Sequence, residues 1–560
     1  MMGLIELTAV LLAFVSLASG YGESPAKLEA RATSTLNTSS PTTFRRRALH
    51  AIAILNDRLY IEGGETSPYN ATDDTLTGVT NPLNTTLWIP LDSSWTNTTV
   101  TFTEIEQDEP LPINNLRLWA DTGSSTLYRW GGDGPSGDTA VADDIDLWTI
   151  KVDDDGTGTW AIKTASNDDF FSDIYSGASG AGTVCEGLGL YLGGYGSSAS
   201  DSRLSDTEFP ARMPLPGLLT YNMTDRTWAN QSTLPLNPLD GGTWTSGEAL
   251  CIPGYGDNSL VFTLGGQTTP ATSAARADSE FTDFSNITIY NPISNEWYWQ
   301  AAGGDVPRGR TQLCAVGVKG NNTYDIYVYG GVDRSNDALS DISVLSIPGF
   351  QWFSLDVTSS ARMRQTCAVV GQSQMLVLGG ILSEWDWASA DPWAQALGIF
   401  DLNTWEWSDK YDVDADEYTT PDTILDWYND GGYSTVDWSG DEVKALFGTA
   451  TAWPDTVSTS SASASASASS SSSSSTPVGP IVGGVVGGVA ALALVGATYF
   501  FWRRKHSKKI TDPYELATSS PKTELHSEST SPAVGVEEPV TLNPVELPGN
   551  GNHKPVELPG

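Results

Sequence analysis

Across 560 residues, 68 Asp and Glu against 29 Lys and Arg give a formal net charge of −39. A chain this acidic repels the phosphates of nucleic acid and of anionic lipid, which argues against both as partners. Its acidity suits cationic ligands, basic protein partners or divalent ions, or serves to keep an exposed domain soluble.

The first element, residues 1–20, has the apolar run LTAVLLAFVSLASG ending in the small residues Ala18-Ser19-Gly20, and reads as a secretory signal peptide. Residues 21–43 form an N-terminal segment ahead of the repeats. Six apolar and aromatic runs then end in two glycines: Gly63/Gly64, Gly131/Gly132, Gly193/Gly194, Gly265/Gly266, Gly330/Gly331 and Gly379/Gly380. Recurrence at such similar intervals means that one supersecondary unit is used repeatedly. Each pair is followed, before the next pair is reached, by a tryptophan near the end of another strand-like run: Trp95, Trp160, Trp228, Trp297, Trp352 and Trp407. In four units an aromatic stands seven residues earlier, as in Trp88/Trp95, Tyr221/Trp228, Tyr290/Trp297 and Phe400/Trp407, which is the spacing of a strand end, a tight turn and the next strand. Another alternating segment precedes each glycine pair, so every unit holds about four strands. Four-stranded antiparallel units at this period predict an all-β, six-bladed propeller over residues 44–410, with glycines for close backbone approach and tryptophans filling the wedges between blades. These glycines and tryptophans are expected to be scaffold.

The double glycine, the tyrosine and the tryptophan, in that order, resemble the kelch-repeat family over about residues 44 to 410. FRRRALHAIAILNDRLYIEGGE, RGRTQLCAVGVKGNNTYDIYVYGG, ARMRQTCAVVGQSQMLVLGG and the later YTTPDTILDWYNDGGYSTVDW look like the kelch ectodomains of ascomycete fungal cell-surface proteins. The kelch resemblance also implies a comparison with galactose-oxidase-like copper enzymes, whose site needs two imidazoles. Only His50 precedes the expected membrane span, since His506, His526 and His553 follow it, so no catalytic residue, cofactor or metal is assigned. The same shortage removes Ser-His-Asp and Cys-His machinery.

Within the repeats, Cys185, Cys251, Cys314 and Cys367 fall in the first strands of units three to six, each shortly before its glycine pair. Adjacent-blade disulfides Cys185/Cys251 and Cys314/Cys367 are the simplest pairing, and buried free thiols are the alternative. Asp153-Asp154-Asp155-Gly156 reads as a hairpin turn. The segment ILSEWDWASADPWAQAL packs Trp385, Trp387 and Trp393 together, either as an exposed platform for stacking on sugar rings or as a cover over a blade edge.

Residues 411–455 are expected to pack on the propeller. A Ser/Thr-rich stalk follows at 456–476, then a transmembrane helix at 478–502, of which Ile481 to Trp502 is free of charge. The basic run RRKHSKK behind it predicts a single-pass type I protein at the plasma membrane, propeller outside. Sequons at Asn37, Asn70, Asn84, Asn97, Asn222, Asn230, Asn286 and Asn321 all precede the span, as N-glycosylation of an exterior requires. Glycines at 479, 483, 484, 487 and 488 place small residues on one helix face, suiting a homodimer. The polar tail 503–560 is expected to be disordered, and its repeated VELPG suits docking to a cytosolic partner. The expected role is non-catalytic binding, adhesion or sensing toward an extracellular protein or cell-wall glycan. The alternatives are an extracellular enzyme, either an oxidase or a carboxylate-based glycosidase, and a structural wall spacer.

Overall fold

Short apolar runs bounded by turn residues favour antiparallel hairpins, and every repeat is built on a four-stranded antiparallel meander from a continuous stretch of chain, to which Glu280–Phe281 and Gly303–Gly304 add a short fifth strand in two of them. The computed structural model describes residues 44–70, 75–76, 80–135, 146–205, 212–231, 242–253, 259–269, 280–383 and 386–447, all within the compact unit Met1–Thr459. The expected signal peptide, stalk, membrane span and tail lie outside these residues, as do Asn37 and Trp385. Among the described residues no helix is long and apolar enough to cross a membrane.

Among the described residues six such meanders, sheets 1 to 6 in chain order, open on the strands Ala51–Leu55, Arg117–Asp121, Ala181–Cys185, Thr243–Ile252, Cys314–Lys319 and Thr366–Val370. Sheet 5 shows why the sequence is built this way. Its second strand, Tyr324–Tyr329, is buried along its whole length because both faces of the sheet are covered by neighbours. Alternation then divides the side chains: Ile326 and Val328 enter the core shared with sheet 4, whereas Tyr327 and Tyr329 enter the core shared with sheet 6. Each fully buried aliphatic side chain contributes about 1.5–3 kcal/mol.

The same division recurs around the molecule. Separate apolar clusters lie between sheets 1 and 2, 2 and 3, 3 and 4, 4 and 5, and 5 and 6. A further one joins Leu376 and Leu378 of sheet 6 to Leu59 and Ile61 of sheet 1. The first strand of each sheet touches that of the next, and the first strand of sheet 6 touches that of sheet 1. The architecture is therefore an all-β propeller.

The glycine pairs explain how the sheets are joined. The second glycine of each pair donates its N–H to a carbonyl at the entry to the next sheet: Gly64 to Ile113, Gly132 to Gly177, Gly194 to Trp244, Gly266 to Arg310 and Gly331 to Arg362, while Gly380 returns to Arg47. These bonds span 2.7–3.0 Å. A Cβ on the first glycine of a pair would strike the same carbonyl, as at Gly379, where it would lie 2.5 Å from the Arg47 oxygen. Gly379 also has φ +74, which side chains rarely adopt.

Two features depart from the repeat pattern. Trp95 is not the hairpin partner of Trp88, which lies opposite Thr103 in the outer strand Thr103–Glu106. An inserted loop carries Trp95 into a short pairing with Tyr411, where the rings meet at 5.1 Å and the indole N–H donates to the Pro90 carbonyl. The other three predicted pairs are direct register partners: Tyr221 with Trp228, Tyr290 with Trp297 and Phe400 with Trp407. The strand Phe44–Ala48 belongs to no meander and pairs with Glu65–Asn70. Beyond residue 410 two helices, Asp422–Asn429 and Asp441–Phe447, bury Ile424 in the core between sheets 5 and 6, and Val443 and Phe447 in that between sheets 4 and 5.

Candidate ligand-binding mouth

One residue just before or within the first strand of every sheet holds a left-handed backbone without being glycine: Leu49, Asn115, Ser179, Ser246, Gln312 and Arg364, with φ between 55° and 67°. Such conformations cost about 1–3 kcal/mol each and persist where the surroundings impose them. Here the imposing contact is a run of five backbone bonds from sheet to sheet. Asn115 N–H donates to Leu49, Ser179 to Asn115, Ser246 to Ser179, Gln312 to Ser246 and Arg364 to Gln312, over 2.8–3.4 Å. All six residues line one cavity, at the mouth of the axial channel.

The mouth is polar and carries more cations than anions. Arg117, Arg212 and Arg364 line it against Glu248, together with the hydroxyls of Thr243, Thr245, Ser246 and Thr366 and the amides of Asn115, Gln267 and Gln312. Arg117 is positioned by its Nε bond to the Gly180 carbonyl at 2.7 Å and by Glu248 at 3.5 Å. Arg364 donates to Gln312 Oε1 at 3.1 Å, and Arg212 lies over the Tyr195 ring at 4.6 Å. Beneath them Asp133 accepts from Asn115 and Tyr195. Burial pushes the Asp133 carboxyl up to about 6, against the pull of those two hydrogen bonds.

His50 also lines the mouth, 5% exposed, with Nε2 at 2.8 Å from Thr366 Oγ1. Burial first, and Arg47 second, hold its pKa well below the usual imidazole range, so the ring is neutral at physiological pH. Among the described residues no second imidazole stands beside it, and this donor set does not fit a copper-radical centre.

Of the three tryptophans, Trp387 and Trp393 are half-buried, and Trp385 lies outside the described residues. Trp393 is half-buried, with the Arg362 guanidinium 3.6 Å above its ring and Trp407 at 4.7 Å on another side. Trp387 packs on the core of Ala48, Leu49 and Met363. Both rings cover a sheet edge, because a loop this rich in indoles is stabilised most by burying them.

Among the sequons, Asn84, Asn230, Asn286 and Asn321 are exposed. Asn97 differs: it is 6% exposed and its amide donates to the Leu397 carbonyl, so a glycan cannot be accommodated there in the folded state. The cysteines pair as Cys185–Cys251 and Cys314–Cys367, with Cα separations of 5.4 and 5.8 Å. First strands are innermost in each sheet and converge at the axis, which brings these pairs within bridging range. The Asp153 run is a turn closed by Gly156 N–H on the Asp153 carbonyl.

The ring of left-handed residues is not predicted by the sequence. Its six residue types share no chemistry, and the only signal is position, two residues before the first strand in five of the six sheets.

Comparison with known proteins bears on the family. No family model matches the chain. A Kelch repeat-containing protein of Arthroderma benhamiae is 26% identical over 414 residues, covering 66% of this chain. The match spans 58% of that relative's length. Over about two thirds of its length the chain is thus similar to a kelch-repeat protein. Among solved structures, one described as "Structure of YjhT" matches with a TM-score of 0.42 and 12% identity, covering 65% of this chain and 97% of that one. In the repeats of this chain the double glycine is the inter-sheet joint, and the residues that differ from sheet to sheet line the cavity.

Proposed function

We propose that this kelch protein is a non-catalytic binding protein: a six-bladed propeller held outside the cell whose channel mouth receives an acidic group of an extracellular protein partner. The observation that carries the reading is the concentration of Arg117, Arg212 and Arg364 around one polar cavity, in a chain of net charge −39. Arginine's planar fork suits bidentate recognition of carboxylates, and the surrounding hydroxyls and amides supply further donors. Electrostatic complementarity at such a mouth sets specificity and association rate.

In this reading the sequence features outside the described residues complete the molecule. Residues 1–20 direct export, the Ser-rich 456–476 lifts the propeller from the bilayer, and residues 478–502 anchor it with the basic run inside. The glycine-rich helix face allows a homodimer, and the two VELPG copies present a docking peptide to the cytosol.

The test is a binding screen of the secreted fragment 21–455 against peptide arrays of acidic, amidated and basic sequence, with β-glucan and mannan alongside. The expected result is retention of carboxylate-bearing peptides that the amidated forms and the R212A/R364A variant lose by tenfold or more. Binding of wall polysaccharide alone, unaffected by the arginine substitutions, would refute the mouth as the site.

A further inference from the structure

Most aromatic rings of this propeller are enclosed, and Trp299 stands apart at 52% exposure on the outer strand Glu296–Ala301 of sheet 4. Its neighbours Trp297 and Gln300 are both better covered. The strand beside it, Asn286–Asn291, begins with the sequon Asn286-Ile287-Thr288.

Register decides what faces Trp299. Thr288 is its direct partner and Asn286 is the partner of Ala301. Because side chains alternate, Asn286, Thr288 and Trp299 lie on one face, while Ile287 and Ile289 turn to the core shared with sheet 5. Asn286 and Trp299 are therefore diagonal neighbours, about 7–8 Å apart between backbones. Asn286 itself is exposed. A sugar on its amide nitrogen starts at one edge of an uncovered indole, and the apolar face of a pyranose ring stacks favourably on such a surface.

We infer that Asn286 is an N-glycosylation site whose first N-acetylglucosamine packs on Trp299 and serves as the missing cover of sheet 4. This inference rests on the reading that the propeller is exported. It also separates Asn286 from Asn321, which lies in the turn between the strands Cys314–Lys319 and Tyr324–Tyr329 and has no register partner across that pair.

The experiment uses the full chain made in a secretory yeast host, as native protein, N286Q, W299A, the double variant, and N321Q as control. Peptide mass spectrometry reads occupancy, and thermal melting reads packing. The expected result is an occupied Asn286 and a melting temperature lowered in N286Q by on the order of 1–3 °C. That shift should vanish in the W299A background, and N321Q should melt as native. An occupied Asn286 whose removal shifts melting equally with and without Trp299 would overturn the packing. An empty Asn286 beside other occupied sequons would also overturn the inference, leaving export intact. If no sequon at all were occupied, the export reading would fail with it.

Discussion

At the scale of single residues, glycine acts here through the space it leaves. A methyl group on Gly379 would stand 2.5 Å from the Arg47 carbonyl, so G379A must break the joint between sheets 6 and 1. Gly187 has nearly the same φ, +75, but nothing lies within 4 Å of its missing Cβ. Chemical denaturation should therefore give G379A a loss of about 2–4 kcal/mol and G187A only about 1–2 kcal/mol, the cost of the left-handed backbone. A second residue sets pH dependence. Asp325 is fully buried, accepts from Thr323 and Tyr418 at 2.8 Å, and is pushed up to about 6 by burial. The folded state thus holds its proton more tightly than the unfolded chain, a contribution fully present below pH ~4 and lost as pH rises through about 6. His50, with its pKa lowered, works in the opposite direction on acidification. Comparing D325N with native protein isolates the first effect: the variant's stability should fall less between pH 4 and 7. Glycine pairs are legible in sequence because no other residue satisfies both constraints. Leu49, Asn115 and Arg364 are not legible, because their backbone is imposed by neighbouring sheets and not by their own chemistry.

Among elements, hairpins with local pairing are readable and insertions are not. Tyr221 and Trp228 sit opposite each other because the turn between them fixes the register, and their spacing admits one solution. Trp95 has the same spacing from Trp88, yet the loop after Pro90 diverts it to Tyr411, at the opposite end of the propeller sequence. Long-range pairing of that kind leaves no local pattern. The disulfides lie between these cases: strand position is evident from sequence, and the distance between first strands is not. Each closes a long loop, with sequence separations of 66 and 53 residues, for which chain entropy gives about 4 kcal/mol. Replacing Cys185 and Cys251 together by serine should lower stability by up to that amount while leaving the far-ultraviolet dichroism of the folded protein unchanged. Loss of β structure at ambient temperature would mean that the bridge is required to form sheets 3 and 4, not merely to hold them.

For the whole molecule, a closed circuit and an open run of backbone hydrogen bonds join one repeat to the next. The outer circuit, through the second glycines, returns from Gly380 to Arg47 and joins the last sheet to the first. The inner run links one left-handed residue per sheet around the mouth. Number and period of the repeats point to the all-β class, since only stacked sheets explain apolar residues on both faces of strands such as Tyr324–Tyr329. The mouth is hidden at that level because its arginines stand far apart in sequence, at 117, 212 and 364, within a chain dominated by acids. Trp387 packs on Ala48, Leu49 and Met363, and Trp393 on Arg362 and Trp407, and the proposed reading takes the mouth, with its concentration of polar groups, as the place where a partner binds. Site-specific photocrosslinking in intact cells tests this claim most directly, with the reactive side chain placed at Gln267 in the mouth or at Ile162, exposed on the perimeter. The account predicts a discrete adduct from position 267 that disappears in R212A/R364A and none from position 162. Adducts from position 162 alone would contradict it.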